Sequence, residues 1–320
     1  MRRWCGLAAT WLALASALGA LAMTEGLSSR GAELRREKLE PRFEALKPLF
    51  APKRSPRPGD WLDQHHERGQ SFAEYVRGRP VRVAGHKAID IVPIGDFTPA
   101  QRRVVELSAD YVERFFGLPV RLHASIPASE IPARARRVHP SWGMEQVLTT
   151  FVLEELLVPR RPADSVAFLA LSSSDLYPDP SWNFVFGQAS LRDRVGVWSI
   201  YRNGNADGSA GEFRLFLLRT LKTAVHELSH MFSMAHCVAY ECVLNGSNHR
   251  QEADARPLDL CPIDLQKLCW NTRCDPVARY DRLLEFTRTH GLTDEARFLE
   301  DARNILAGPG TASEREAPAP

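Results

Sequence analysis

The stretch His226-Glu227-Leu228-Ser229-His230-Met231-Phe232-Ser233-Met234-Ala235-His236-Cys237 carries the chemistry of this chain and orders the rest of it. Two histidines four apart on a helix lie one turn apart on one face, so both imidazoles can reach one tetrahedral Zn²⁺ at ~2.0–2.1 Å. Glu227 adjoins that face and is the candidate general base, since a water on zinc is acidic enough, with a pKa of about 7, to give up its proton there. A helix continuing ten residues past His226 would turn His236 roughly 80° away, so the helix must break before it. Three nitrogen ligands leave a fourth position open for water and substrate, which is the catalytic rather than the structural arrangement. Thr220, Leu221, Ala224 and Val225 place the pair on a buried helix, expected from Phe216 to Phe232, where unliganded His and Glu would be costly.

Working outward, the N-terminal side reads as alternating strands and helices. Ala88 to Ile94 is Ile/Val-rich and suits a buried strand that Gly95 and Asp96 end. Thr98, Pro99 and Gln101 form a capping box ahead of a helix over Arg102 to Phe116, and Pro119 to Leu122 restarts a strand. Gln146 to Leu157 is an amphipathic helix candidate; Val166 to Leu171 and Val195 to Tyr201 are strand candidates. Helices over Val277 to Thr289 and Thr293 to Leu306 close the pattern, and the Pro/Ala/Glu-rich tail reads as disordered. The segments predict 1–22 as signal peptide or signal anchor, 23–85 as a helical extension and linker, 86–307 as the α/β domain and 308–320 as a tail.

Bulk properties narrow the partners. With 44% hydrophobic and 25% charged residues the chain is globular rather than disordered. A net charge of +2 is too small to suggest nucleic acid, whose phosphates need clustered Lys and Arg. Arg2 and Arg3 precede an uncharged apolar run from Leu7 to Leu21, and Ala20 and Ala22 supply a small-x-small cleavage signature. The run falls short of the ~20 residues a spanning helix prefers, so export is expected, with a membrane anchor as the alternative if the segment stays uncleaved.

The central segment resembles the archaemetzincin family, a branch of the metzincin metallopeptidases. Besides HExxHxxxxxHC, the resemblance rests on Asp175-Leu176-Tyr177-Pro178, the run from Trp182 to Ala189, Arg194-Val195-Gly196-Val197, Asn245-Gly246-Ser247-Asn248-His249, Glu252-Ala253-Asp254 and Arg256-Pro257-Leu258 through Cys261-Pro262. It covers roughly Ile89 to Glu285. It implies a metzincin-like α/β (α+β) fold, a twisted mixed sheet over the active-site helix, a catalytic zinc on His226, His230 and His236, and peptide or protein substrates. It also implies a second, structural zinc, whose ligands map to Cys237, Cys242, Cys261 and Asp264, the last where the family has cysteine. Cys269 or Cys274 is an alternative fourth ligand, or the two pair in a disulfide. Of the chain's six cysteines, removing Cys5 with the signal leaves an odd number, which cannot pair completely.

Two further departures from the family are Ser233, where a glycine is usual, and Val243-Leu244, where a methionine below the metal is expected. They motivate a rival reading, a zinc-stabilised binding module with weak catalysis. A disulfide-stapled structural domain without metal is a third. Tyr240 and His249 are candidate donors to the oxyanion of peptide hydrolysis, and Asn183 and Gln188 candidate cleft residues.

Overall fold

The computed structural model describes residues 29–308. The expected signal or anchor segment 1–22 lies outside the described residues, as does the expected tail beyond Gly308. Among the described residues no helix is long and apolar enough to cross a membrane.

Strands β1 (Ala88–Ile94), β2 (Val120–Leu122), β3 (Arg136–Val138), β4 (Glu145–Leu148), β5 (Ser165–Ser172), β6 (Asp175–Tyr177), β7 (Gly187–Ser190) and β8 (Val195–Ser199) form two sheets. The larger has the order β2-β1-β5-β8-β7, parallel except for β7, which runs antiparallel to β8 at the edge. The smaller is β3-β4-β6. Helices α1 (Phe72–Arg77), α2 (Pro99–Phe116), α3 (Ala210–Met231), α4 (Arg250–Ala255), α5 (Pro262–Thr272), α6 (Pro276–Thr289) and α7 (Thr293–Ala307) accompany them. The continuous apolar run of β5 has a plain cause, because both faces of the sheet are covered. Ala167, Leu169 and Leu171 join a core with Tyr111 of α2 and Leu221 and Leu228 of α3, while Phe168 and Ala170 face Val147, Phe151 and Leu156.

Local signals explain most boundaries. Thr98 and Gln101 form the expected capping box, and Gly117 in the left-handed region ends α2. Helix α3 starts at Ala210, earlier than expected, because Ser209 and Glu212 make a second capping box. The expected helix over Gln146 to Leu157 splits instead. Its first residues form β4, since the buried Gln146 amide donates to Asp175 Oδ2 at 2.7 Å and to Asn183 O at 2.8 Å, and only Phe151–Leu157 is helical, with wide π-type turns. Helices α4 and α5 had no counterpart in the sequence reading.

From residue 29 onward, the stretch expected as an extension and linker packs into the main core. Leu34, Leu39, Phe43, Leu46, Phe50 and Tyr75 share one buried cluster with Leu228 and Phe232. The Tyr75 hydroxyl donates to Phe232 O at 2.9 Å, so α1 holds the C-terminal end of α3. On its other side α3 lies close against β8, where a β-carbon on Gly196 would collide with the Met231 methyl.

Candidate active site

Helix α3 must end before His236 can return to its partners, and it ends on a left-handed residue. Ser233 has φ 67°, with its N–H donating to His230 O at 2.8 Å and Met234 N to Ser229 O at 3.2 Å. A side chain there costs about 1–2 kcal/mol that glycine would avoid. Contacts from the N-terminal segment offset it: Val81 N donates to Ser233 Oγ at 3.1 Å and Gln70 Nε2 to Ser233 O at 3.2 Å.

The turn brings the three imidazoles together. A nitrogen from each of His226, His230 and His236 lies within 4.8 Å of the others, and the Nε2 atoms of His226 and His230 stand 3.1 Å apart. Two nitrogens on one tetrahedral zinc would be about 3.4 Å apart at the usual bond length. Each Nδ1 is engaged by an acceptor: His226 with Val243 O at 2.8 Å, His230 with Met234 O at 2.7 Å and His236 with Glu67 Oε1 at 2.8 Å. Carbonyls and carboxylates accept only, so the proton sits on Nδ1 and the Nε2 lone pair is free in each ring. Burial pushes the His230 imidazole down to about 4 and lowers His226 as well, favouring the neutral form that binds metal. The donor set fits one zinc with a position to spare. Glu67 was not foreseen, because nothing local marks a carboxylate in a charged segment so far from His236.

Glu227 and all three histidines line a cleft of about 410 Å³, whose walls include Trp61, Trp182 and Phe186. The Glu227 carboxyl sits beneath β7, where a β-carbon on Gly187 would come within 2.6 Å of Oε1, so glycine leaves room for it. Burial pushes this carboxyl up to about 8, against the pull of the Arg256 guanidinium. Gln188 lines the cleft and takes a hydrogen bond from the Thr149 hydroxyl. The other polar candidates do not line the cleft. Tyr240 is buried against Phe50 and donates to Arg35 O at 3.4 Å, His249 caps α4 and bonds Asp60, and Asn183 offers its carbonyl to Gln146. Val243 and Leu244, in place of the family's methionine, are fully buried.

A second buried cluster joins Cys237, Cys242, Cys261 and Asp264, with one ligating atom of each within 4.8 Å of the rest. Asp264 Oδ2 faces Cys242 Sγ at 3.4 Å and Cys261 Sγ at 3.2 Å, while Lys267 Nζ bonds Oδ1 at 2.8 Å. Three sulfurs and a carboxylate oxygen suit zinc, and Lys267 offsets part of their charge. Asp264 occupies the fourth corner; Cys269 lies outside, its sulfur facing that of Cys274 at 2.8 Å.

Comparison with known proteins places the chain in a family. The model of peptidase family M54 matches residues 157–269. Archaemetzincin-2 of Homo sapiens is 32% identical, with 80% of this chain and 81% of that protein covered. Archaemetzincin-1 of Homo sapiens is 28% identical over 72% of this chain and 52% of its own. The crystal structure of archaemetzincin from Methanopyrus kandleri aligns with a TM-score of 0.46 and 26% identity, covering 59% of this chain and 97% of that one. The chain belongs to the archaemetzincins of peptidase family M54, and is a zinc metallopeptidase whose substrates are peptides or proteins.

Proposed function

We propose that the chain hydrolyses peptide bonds with one zinc held by His226, His230 and His236 and with Glu227 as general base, and that a second zinc at Cys237, Cys242, Cys261 and Asp264 is structural. The observation that carries the reading is the convergence of one ring nitrogen from each of the three histidines, with each Nδ1 held by an acceptor. Zinc, when bound, supplies a Lewis acid that polarises the scissile carbonyl and acidifies the attacking water. Glu227 takes the proton of that water as the new C–O bond forms and passes it to the amine nitrogen as the C–N bond breaks. Strand β7, at the sheet edge and lining the cleft through Gly187 and Gln188, offers backbone groups to which an extended substrate can add as a further strand. Burial favours the neutral, metal-binding form of His226 and His230.

The test is zinc content measured together with hydrolysis of a broad peptide library, for the wild-type chain and for Glu227→Ala. Two zinc ions per chain and cleavage are expected for the wild type. Glu227→Ala is expected to keep both ions while losing activity by a factor of about 10²–10⁴. Zinc at the histidines with no cleavage by the wild type would overturn the catalytic part and leave the binding-module reading.

A further inference from the structure

One cation in the cleft forms no ion pair with a carboxylate among the described residues. Arg256 is 5% exposed and lines the cleft beside Thr223, Ser247 and Asn248. Its Nη1 donates to Asn245 O at 2.8 Å and its Nε to Ala253 O at 3.3 Å. Nη1 also lies 3.2 Å from His226 Nδ1, but that nitrogen already donates to Val243 O, so two donors face each other and no bond forms. Nη2 has no hydrogen-bond partner among the described residues and is not one of the fully occluded polar atoms, on a residue that lines the cleft. Glu227 and Asp179 line the same cleft, yet neither forms an ion pair with Arg256.

A guanidinium has five N–H donors in a planar fork, and main-chain carbonyls use two of these. Nη2 keeps its N–H groups for a ligand, in a partly desolvated cleft where a charge-assisted hydrogen bond to a carboxylate is strong. We propose that Arg256 makes part of the cleft a carboxylate-binding subsite, so that the enzyme selects substrates presenting an acidic side chain or a free C-terminal carboxylate near the scissile bond. The proposal rests on the peptidase reading above and adds a specificity to it. A purely structural Arg256 would hold the Asn245 loop through the two carbonyls and would leave the enzyme indifferent to substrate charge.

The experiment uses the zinc-loaded full chain and paired peptides. One arm compares Glu with Gln at each position flanking the cleaved bond; the other compares a free C-terminal acid with its amide. The charged member of one arm is expected to show at least about a tenfold higher kcat/KM, mainly through KM, and the arm that responds identifies the source of the carboxylate. Rates equal within twofold in both arms would overturn the proposal. Arg256→Met is expected to cleave both members of a pair equally, and Arg256→Lys to keep part of the preference. A preference undiminished in a folded, zinc-loaded Arg256→Met also overturns it. If the wild type cleaves no peptide, binding of the same fluorescently labelled pairs decides: preference for the acid sustains the subsite while the peptidase reading fails, and equal binding sinks the subsite.

Discussion

Glu67, 169 residues earlier in the chain, accepts the hydrogen bond from His236 Nδ1 and so fixes the ring that the Ser233 turn brings to its partners. Histidine ligands that give their second N–H to a carboxylate are oriented and made more basic by it. Glu67→Ala is therefore expected to weaken zinc binding at the histidines about 10- to 100-fold, measured by competition with a chelator of known affinity. Unchanged zinc affinity would show that His236 is held by the turn alone. The triad and Glu227 were legible because their spacing lies within a few helical turns. Glu67 was not, because a carboxylate among Arg and Glu residues looks like solvated surface until the fold buries it.

Elements meet at two glycines around α3. Gly196 admits the Met231 end of the helix to β8, and Gly187 gives the Glu227 carboxylate its space beneath β7. Gly187→Ala is expected to push the carboxylate aside, lowering kcat by tenfold or more while zinc content and the melting temperature stay near wild type. Full activity in that variant would mean that β7 yields rather than Glu227. Element starts were readable where side chains bond the adjacent backbone, as Thr98 with Gln101 does, and the start of α3 at Ser209 and Glu212 carried the same signal unread. Gln146 to Leu157 was misread because its apolar residues have helical spacing, whereas the buried Gln146 amide finds its partners only across a sheet.

At the scale of the molecule, the N-terminal residues are part of the domain's core and of its site. Leu34, Phe43, Leu46 and Tyr75 are buried with the active-site helix, and Lys267 of α5 reaches back to Gln70 O at 2.6 Å. Burial of large apolar side chains contributes about 1.5–3 kcal/mol each, so removing several exceeds the few kcal/mol by which a domain is stable. A chain begun at residue 86 is expected to lose its cooperative thermal transition, followed by near-ultraviolet circular dichroism. A sharp transition in that chain would show that the expected linker is dispensable.

The sequence by itself determined which residues can share a metal, where the main strands and helices lie, and to which family the chain belongs. Those features depend on spacing within a few turns or on short motifs, and the backbone converts such spacing directly into geometry. Tertiary structure decided that Asp264 rather than Cys269 completes the sulfur cluster, that Ser233 is held in its left-handed turn by Val81 and Gln70, and that Arg256 lines the cleft without forming an ion pair. Each of these depends on which distant segments pack together. That packing is set by burial of apolar surface across the whole chain, and no local spacing records it.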